Sequence, residues 1–312
     1  MEFRTIVDLP VYPFSISHEN RLLLCGSCFA ENIGKRLLDS RFNVNVNPFG
    51  ILYNPLSIKA VLDIALDGKQ FTEKDLFFHK GMYHNFLFHS RFSSDNAADC
   101  LQNMNGALSN SCLKQTDILM LTFGTAYVYL LRETGKVVSN CHKLPDRLFV
   151  RQRLTVDEIV DAYTELFSRL LMENNQLKIL LSVSPIRHWK DGAHENQLSK
   201  SILLLAIEAL QRRFHSIVYF PSFEIVLDEL RDYRFFADDM NHISNLAVSC
   251  IWERFGNAFF DEKTFQIIRR WEKIKQALQH RPLNPHSNEY KMFVDKTAIE
   301  LQQFENEYLN KR

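Results

Sequence analysis

The stretch Leu22–Gly34, LLLCGSCFAENIG, runs from an apolar segment of strand length through Gly26, Ser27 and Cys28 straight into a helical pattern. Phe29, Ile33, Leu37 and Leu38 fall on one stripe at helical spacing. Gly26 offers the backbone freedom of a tight turn, and Ser27 stands where a helix cap belongs. The stretch therefore reads as strand, glycine turn and helix, the unit from which parallel α/β sheets are built. It also sets a hydroxyl and a thiol at a helix tip, where unpaired N–H groups favour a thiolate.

The same alternation continues outward. Val44 and Val46 alternate as a second strand, Asn47–Gly50 is a loop, and Asn54 caps a helix over Pro55–Leu66 with proline at its first position. Thr116–Phe123 and Leu177–Pro185 are buried apolar strands, and AYVYL extends or follows the first of them. Thr155 and Glu158 form a capping box before a helix over Val156–Glu173. A long amphipathic helix spans Leu198–Phe214, and Ser216–Leu227 supplies a strand and a short helix. Strands alternating with helices predict a three-layer α/β/α sandwich with a mostly parallel sheet, in one domain over residues 1–260.

Residues 67–115 read as a variable insertion covering the site. Their aromatic and histidine series, Phe77–Phe92, fits a cover for an acyl group or, in the preferred reading, a satellite core around a hairpin. Residues 261–312 read as a helical extension packed on the same domain: a charged helix over Thr264–His280, a flexible link over Arg281–Glu289 and a last short helix.

Composition narrows the function classes. Of 312 residues, 46% are hydrophobic and 24% charged, as in ordinary globular chains. Lys plus Arg equals Asp plus Glu at 37 each, which disfavours a dedicated nucleic-acid or anionic-membrane binder. The start, MEFRTIVDLPVYPF, lacks a secretory pattern and no apolar run reaches bilayer length, so the expected setting is cytoplasmic. Six scattered cysteines do not make a disulfide framework, and Cys25-x-x-Cys28 has no second pair to complete a zinc site. Cys141-His142 likewise lacks complementary ligands, so no metal and no cofactor are expected; no Walker loop or dinucleotide fingerprint occurs.

Ligands of open parallel sheets bind beyond the carboxyl ends of the strands. The turns there offer Gly26–Cys28, Asn47–Gly50, Phe123–Thr125, Ser182–His188 and Phe235–His242. Asp239 and His242 have the spacing by which a carboxylate can hold an imidazole toward a nucleophile. Arg187 can bind a carboxylate or phosphate, or pair with Asp191 or Glu195. Asn140 lines the pocket or belongs to an Asx turn.

These blocks carry a family resemblance: GSCFAEN after the first strand, Phe123-Gly124-Thr125, Asn140–Lys143, Ser184–Trp189 followed by Asn196, Ser199 and Lys200, and finally Asp239 and His242. Together, over Glu19–Phe255, they resemble the bacterial GSCFA family, which is similar to the SGNH or GDSL-like hydrolases. The resemblance implies an SGNH-like fold and an acyl hydrolase or acyltransferase, esterase-like, working on a small-molecule or glycan acyl ester or thioester. In the hydrolase pattern the third place of a Gly-Asp-Ser turn holds the nucleophile, and Cys28 fills that place here, with Ser27 as the competing assignment. The resemblance assigns Asp239 and His242 to the supporting pair and Gly50 to an oxyanion-binding N–H. It expects an asparagine two residues after Gly124, where this chain has Gly124-Thr125-Ala126. Thr125 or Asn140 then replaces that donor, or the pocket is a non-catalytic binding module for an acylated or glycan-like ligand.

Overall fold

The computed structural model of the chain describes residues 5–308. Its strands are β1 (Arg21–Gly26), β2 (Asn43–Val46), β3 (Phe77–His79), β4 (Met82–His84), β5 (Ile118–Phe123), β6 (Tyr127–Leu131), β7 (Val137–Val138), β8 (Phe149–Arg153), β9 (Lys178–Val183) and β10 (Ile217–Tyr219). Its α-helices are α1 (Cys28–Asp39), α2 (Pro55–Asp67), α3 (Ala97–Asn110), α4 (Val156–Glu173), α5 (Gly192–Arg213), α6 (Ser222–Glu224), α7 (Asn245–Phe259), α8 (Glu262–Leu278) and α9 (Asn288–Tyr308).

The central sheet has the order β10-β9-β5-β1-β2, and every pairing in it is parallel. Such a sheet must be covered on both faces, which is why its inner strands are continuous apolar runs. Leu22, Leu24, Ile118, Met120 and Leu180 pack on one face against Phe29, Ile33 and Leu37 of α1 and Val248, Ile251 and Phe255 of α7. Leu23, Cys25, Leu119, Leu121, Ile179 and Leu181 pack on the other against α2, α4 and α5. From β1 the chain moves outward to β2 on one side, then returns to place β5, β9 and β10 on the other. The order reverses between β1 and β5, so the crevice beyond their carboxyl ends is the natural ligand position.

Four elements differ from the sequence expectation. The long helix begins at Gly192, six residues before Leu198, because its polar first turns are tied to strand ends instead of covering the sheet. An antiparallel sheet of order β7-β6-β8 follows β5, and β8 had no counterpart in the reading, since FVRQR is half polar. Residues 67–115 hold the β3–β4 hairpin and α3, and Phe71, Phe88, Phe92, Cys100 and Met104 join the main core. Of the Phe77–Phe92 series, Phe88 and Phe92 thus belong to the main core, while Phe77, His84 and Phe86 pack on one another at the hairpin. The last helix, α9, spans 21 residues instead of being short. Its Phe304 packs with Trp271 and Ile274 of α8, and Trp271 Nε1 donates to Asp39 O at the end of α1 at 2.7 Å.

Candidate functional site

Gly26 closes β1 with φ of +153°, and a Cβ there would lie 2.3 Å from Thr122 O of β5. Only glycine permits that approach, by which Ser27 N–H reaches Thr122 O at 3.3 Å across the crevice. Asn47 braces the turn from the β2 side, its Oδ1 accepting from Gly26 N at 2.9 Å. Ser27 is buried, and its Oγ caps α1 by accepting from Phe29 N at 3.2 Å. Cys28 is only partly buried, and its Sγ lies 3.7 Å from the hydroxyl of Tyr53. The structure thus gives Ser27 the cap and presents Cys28.

Cys25 and Cys28 are both free and lie against opposite faces of the sheet, Cys25 in the layer of α2, α4 and α5, and Cys28 beside α1 and α7. A redox or zinc pair would need them on one side. Burial pushes the Cys28 thiol up; the Tyr53 hydrogen bond opposes this and Glu31 reinforces it. The helix tip therefore does not hold a resting thiolate, contrary to the sequence expectation, because desolvation of the charged form outweighs the helix N–H groups.

Asp239 and His242 meet on a turn between the 3-10 segment at Tyr233–Phe235 and α7. His242 Nδ1 and Asp239 Oδ2 are 2.6 Å apart, and Asp239 Oδ1 accepts from the backbone N–H groups of Asn241 and His242. These bonds, the imidazole first, hold the Asp239 carboxyl down at about 2. Both side chains are about half exposed. Arg187 N–H ties the turn to the segment after β9 by donating to Asn241 O at 3.2 Å. Among the described residues neither Cys28 nor Ser27 is hydrogen-bonded to His242.

His188, which the sequence reading places in the turn after a buried strand but gives no role, lies between these parts. Its ring packs edge-on against Tyr53, and a Cβ on Gly124 would be 3.2 Å from its Nε2 and 3.5 Å from Ser27 Cβ. Burial, aided by the charges of Lys200, Arg151 and His242, holds His188 down at about 3. It is a neutral imidazole near pH 7, poorly matched to a general base at that pH. His242 is close enough for its charge to be felt there.

The expected oxyanion donors are placed otherwise. Gly50 N–H is committed to Asn47 O at 2.8 Å, and the N–H groups of Gly124 and Thr125 both go to Tyr53 O, at 2.7 and 3.0 Å. Thr125 Oγ1 turns inward to Ser199 Oγ at 3.1 Å. Asn140 forms the Asx turn, its Oδ1 accepting from His142 N at 2.8 Å. His142 is buried, with Nε2 on Asn85 O and its ring against those of His84 and Phe77. Among the described residues no group of three or more histidines, cysteines and acids is arranged to hold a metal ion. Tyr53 is a neighbour the sequence reading missed: its hydroxyl lies 3.7 Å from the Cys28 sulfur.

Asn196, Ser199 and Lys200 explain each other. Their spacing puts them on one face of α5, above the buried Leu203 and Ile207. Asn196 Oδ1 accepts from His188 N, Ser199 Oγ accepts from Ala126 N, and Lys200 Nζ donates to Gly124 O and Ser184 O at 2.6 Å each. The helix thereby fastens the carboxyl ends of β5 and β9. Burial drops Lys200 to about 7. The legible signal was a helical core stripe whose first positions are polar.

The fold and site define an α/β protein with a cysteine at the switch point of a parallel sheet and an Asp–His pair at the same edge. The chain belongs to the GSCFA family, whose model matches residues 21–255, and the model described as "GSCFA domain protein, C-terminal domain" matches residues 271–311. No curated protein matches it. One similar solved structure is described as "a putative platelet activating factor from Streptococcus pneumonia". It shares 13% identity over 76% of this chain and 84% of that one, with a TM-score of 0.37, too low to bear on fold or function. No helix among the described residues is long and apolar enough to cross a membrane.

Proposed function

We propose that the chain is an acyl hydrolase or acyltransferase of SGNH-like kind that works on an ester or thioester through a covalent acyl-enzyme on Cys28. The observation that carries this reading is the 2.6 Å Asp239–His242 pair, tied to the carboxyl-end segment whose His188 lies against the Ser27–Gly124 crossing. Asp239 accepts at Nδ1, so the neutral imidazole has its Nε2 lone pair free to take a proton. Because burial keeps the thiol protonated, base-assisted attack is required rather than attack by a resting thiolate.

His242 takes the Cys28 proton as sulfur bonds to the acyl carbon and the carbonyl becomes an oxyanion. The Tyr53 hydroxyl, 3.7 Å from the sulfur, and the Cys28 N–H are assigned as donors to that oxyanion, Tyr53 standing in for the asparagine of the hydrolase pattern. As the intermediate collapses, the bond to the leaving oxygen or sulfur breaks and His242 returns its proton to that atom. Water, an alcohol or an amine then attacks the thioester, gives its proton to His242 and releases the acyl product, and Cys28 regains its proton.

The committed N–H groups of Gly50, Gly124 and Thr125 favour a second reading, a binding module that keeps the pocket without turnover. Reaction with p-nitrophenyl acetate and thioacetates, in wild type and in C28A, S27A, Y53F and H242A, separates the two. The enzyme reading expects release lost in C28A and H242A, reduced in Y53F and retained in S27A. An acetylated S27 in place of C28, or release indifferent to H242A, contradicts it.

A further inference from the structure

Beside the Asp239–His242 turn lies an open cavity of about 420 Å³, a size that suits a small organic group. Arg187, Trp189, Arg231, Tyr233 and Phe236 wall it, and Ala193 brings the first turn of α5 to its rim. The Arg187 guanidinium lies over the rings of Phe236 at 4.5 Å and Trp189 at 5.8 Å. The acids that could neutralise it are engaged elsewhere: Asp191 with Arg151, and Glu195 with Arg153 and Tyr127. Asp232, the acid of the cavity wall, is paired with Arg234 at 2.9 Å. Among the described residues neither Arg187 nor Arg231 has an ion-pair partner. The Asp191 side chain does not cap α5, so the positive end of a 22-residue helix also faces this rim.

A guanidinium lying over aromatic rings can still offer N–H groups to planar oxyanions, and two unneutralised arginines beside a helix start favour an anion over a neutral ligand. We propose that this cavity is a subsite for the oxyanion-bearing part of the substrate, a carboxylate or phosphate carried on a ring or apolar group and held by Arg187 and Arg231. Arg187 N–H holds Asn241 in the turn between Asp239 and His242, so the cavity wall and that turn are tied together through one residue. The assignment to a substrate rests on the acyl-transfer reading; the binding itself does not.

The test is a titration of the full chain with phenyl phosphate, benzoate and the neutral phenyl glucoside, followed by calorimetry and by tryptophan emission, with W189F identifying the part that comes from Trp189. Phenyl phosphate or benzoate is expected to bind with millimolar affinity or better, the stronger of the two identifying the source of the anion. That affinity falls at least about tenfold in R187Q/R231Q and more weakly with rising salt. R231Q alters an exposed side chain, so it reports even if the double variant does not fold. Absence of binding by both anions, equal binding by phenyl glucoside, or undiminished affinity in R231Q and the double variant overturns the subsite. Arginine-dependent binding in a protein that shows no acyl transfer leaves the subsite standing and removes the acyl-transfer reading.

Discussion

The Cys28 thiol is pulled in two directions, by burial toward the neutral form and by Tyr53 and the helix start toward the charged one, and burial prevails. Alkylation of Cys28 by iodoacetamide should therefore rise with a midpoint above the ordinary thiol value of 9, and Y53F should move that midpoint higher by removing the opposing hydrogen bond. A plateau already reached below neutral pH would show a resting thiolate. The residues at the turn were legible because glycine, a capping serine and a following cysteine have few common uses together. Their charge state was not, because desolvation depends on what the β2–α2 loop places over them. Tyr53 escaped notice for the same reason: its hydroxyl meets the sulfur through a contact 25 residues distant in sequence.

At the scale of elements, α5 is a clamp more than a cover. K200M removes the two bonds to Gly124 O and Ser184 O and leaves both carbonyls without their partner, which should cost about 2–4 kcal/mol in urea unfolding at neutral pH. The pH dependence has a definite sign. Lys200 titrates near 7 in the fold and near 10.5 when unfolded, so between those values the unfolded chain binds more protons and stability rises with pH. K200M should flatten that rise; an unchanged slope would show that Lys200 keeps its proton in the fold across this range. His142 acts on the acid side, held down at about 4 by burial. Stability should fall as pH drops from 6.5 to 4, by roughly 3 kcal/mol from this group, and H142Q should lose that part of the decline. The strands and capped helices of the sheet were readable from apolar runs and from the Thr155–Glu158 box, both of whose bonds form. The β6–β8 sheet and the early start of α5 were not, since their polar residues answer to partners in other elements.

In the whole molecule, the all-parallel sheet brings the ends of β1, β5 and β9 to one edge, and the turn before α7 delivers the Asp–His pair there. The tail behaves differently. Of α9, only Thr297 and Phe304 are buried, so a chain ending after Leu278 should keep the sheet, its cooperative melt and the Cys28 chemistry while losing the cover over Trp271. Collapse of the far-ultraviolet spectrum in that truncation would show that the tail is part of the folding core. W271A should cost about 3–5 kcal/mol, because it removes a buried ring and leaves Asp39 O without its donor. The tail was legible as helical extension but not in length, since a mostly exposed helix carries little apolar periodicity.

Acyl transfer on Cys28 requires activation by His242, and peptide mapping of the acyl group after brief reaction with p-nitrophenyl acetate measures this directly. One acetyl group on Cys28 in wild type, greatly diminished in H242A and D239N, is the predicted result. An acetyl group on Ser27, or Cys28 acetylated equally in wild type and H242A, would contradict it.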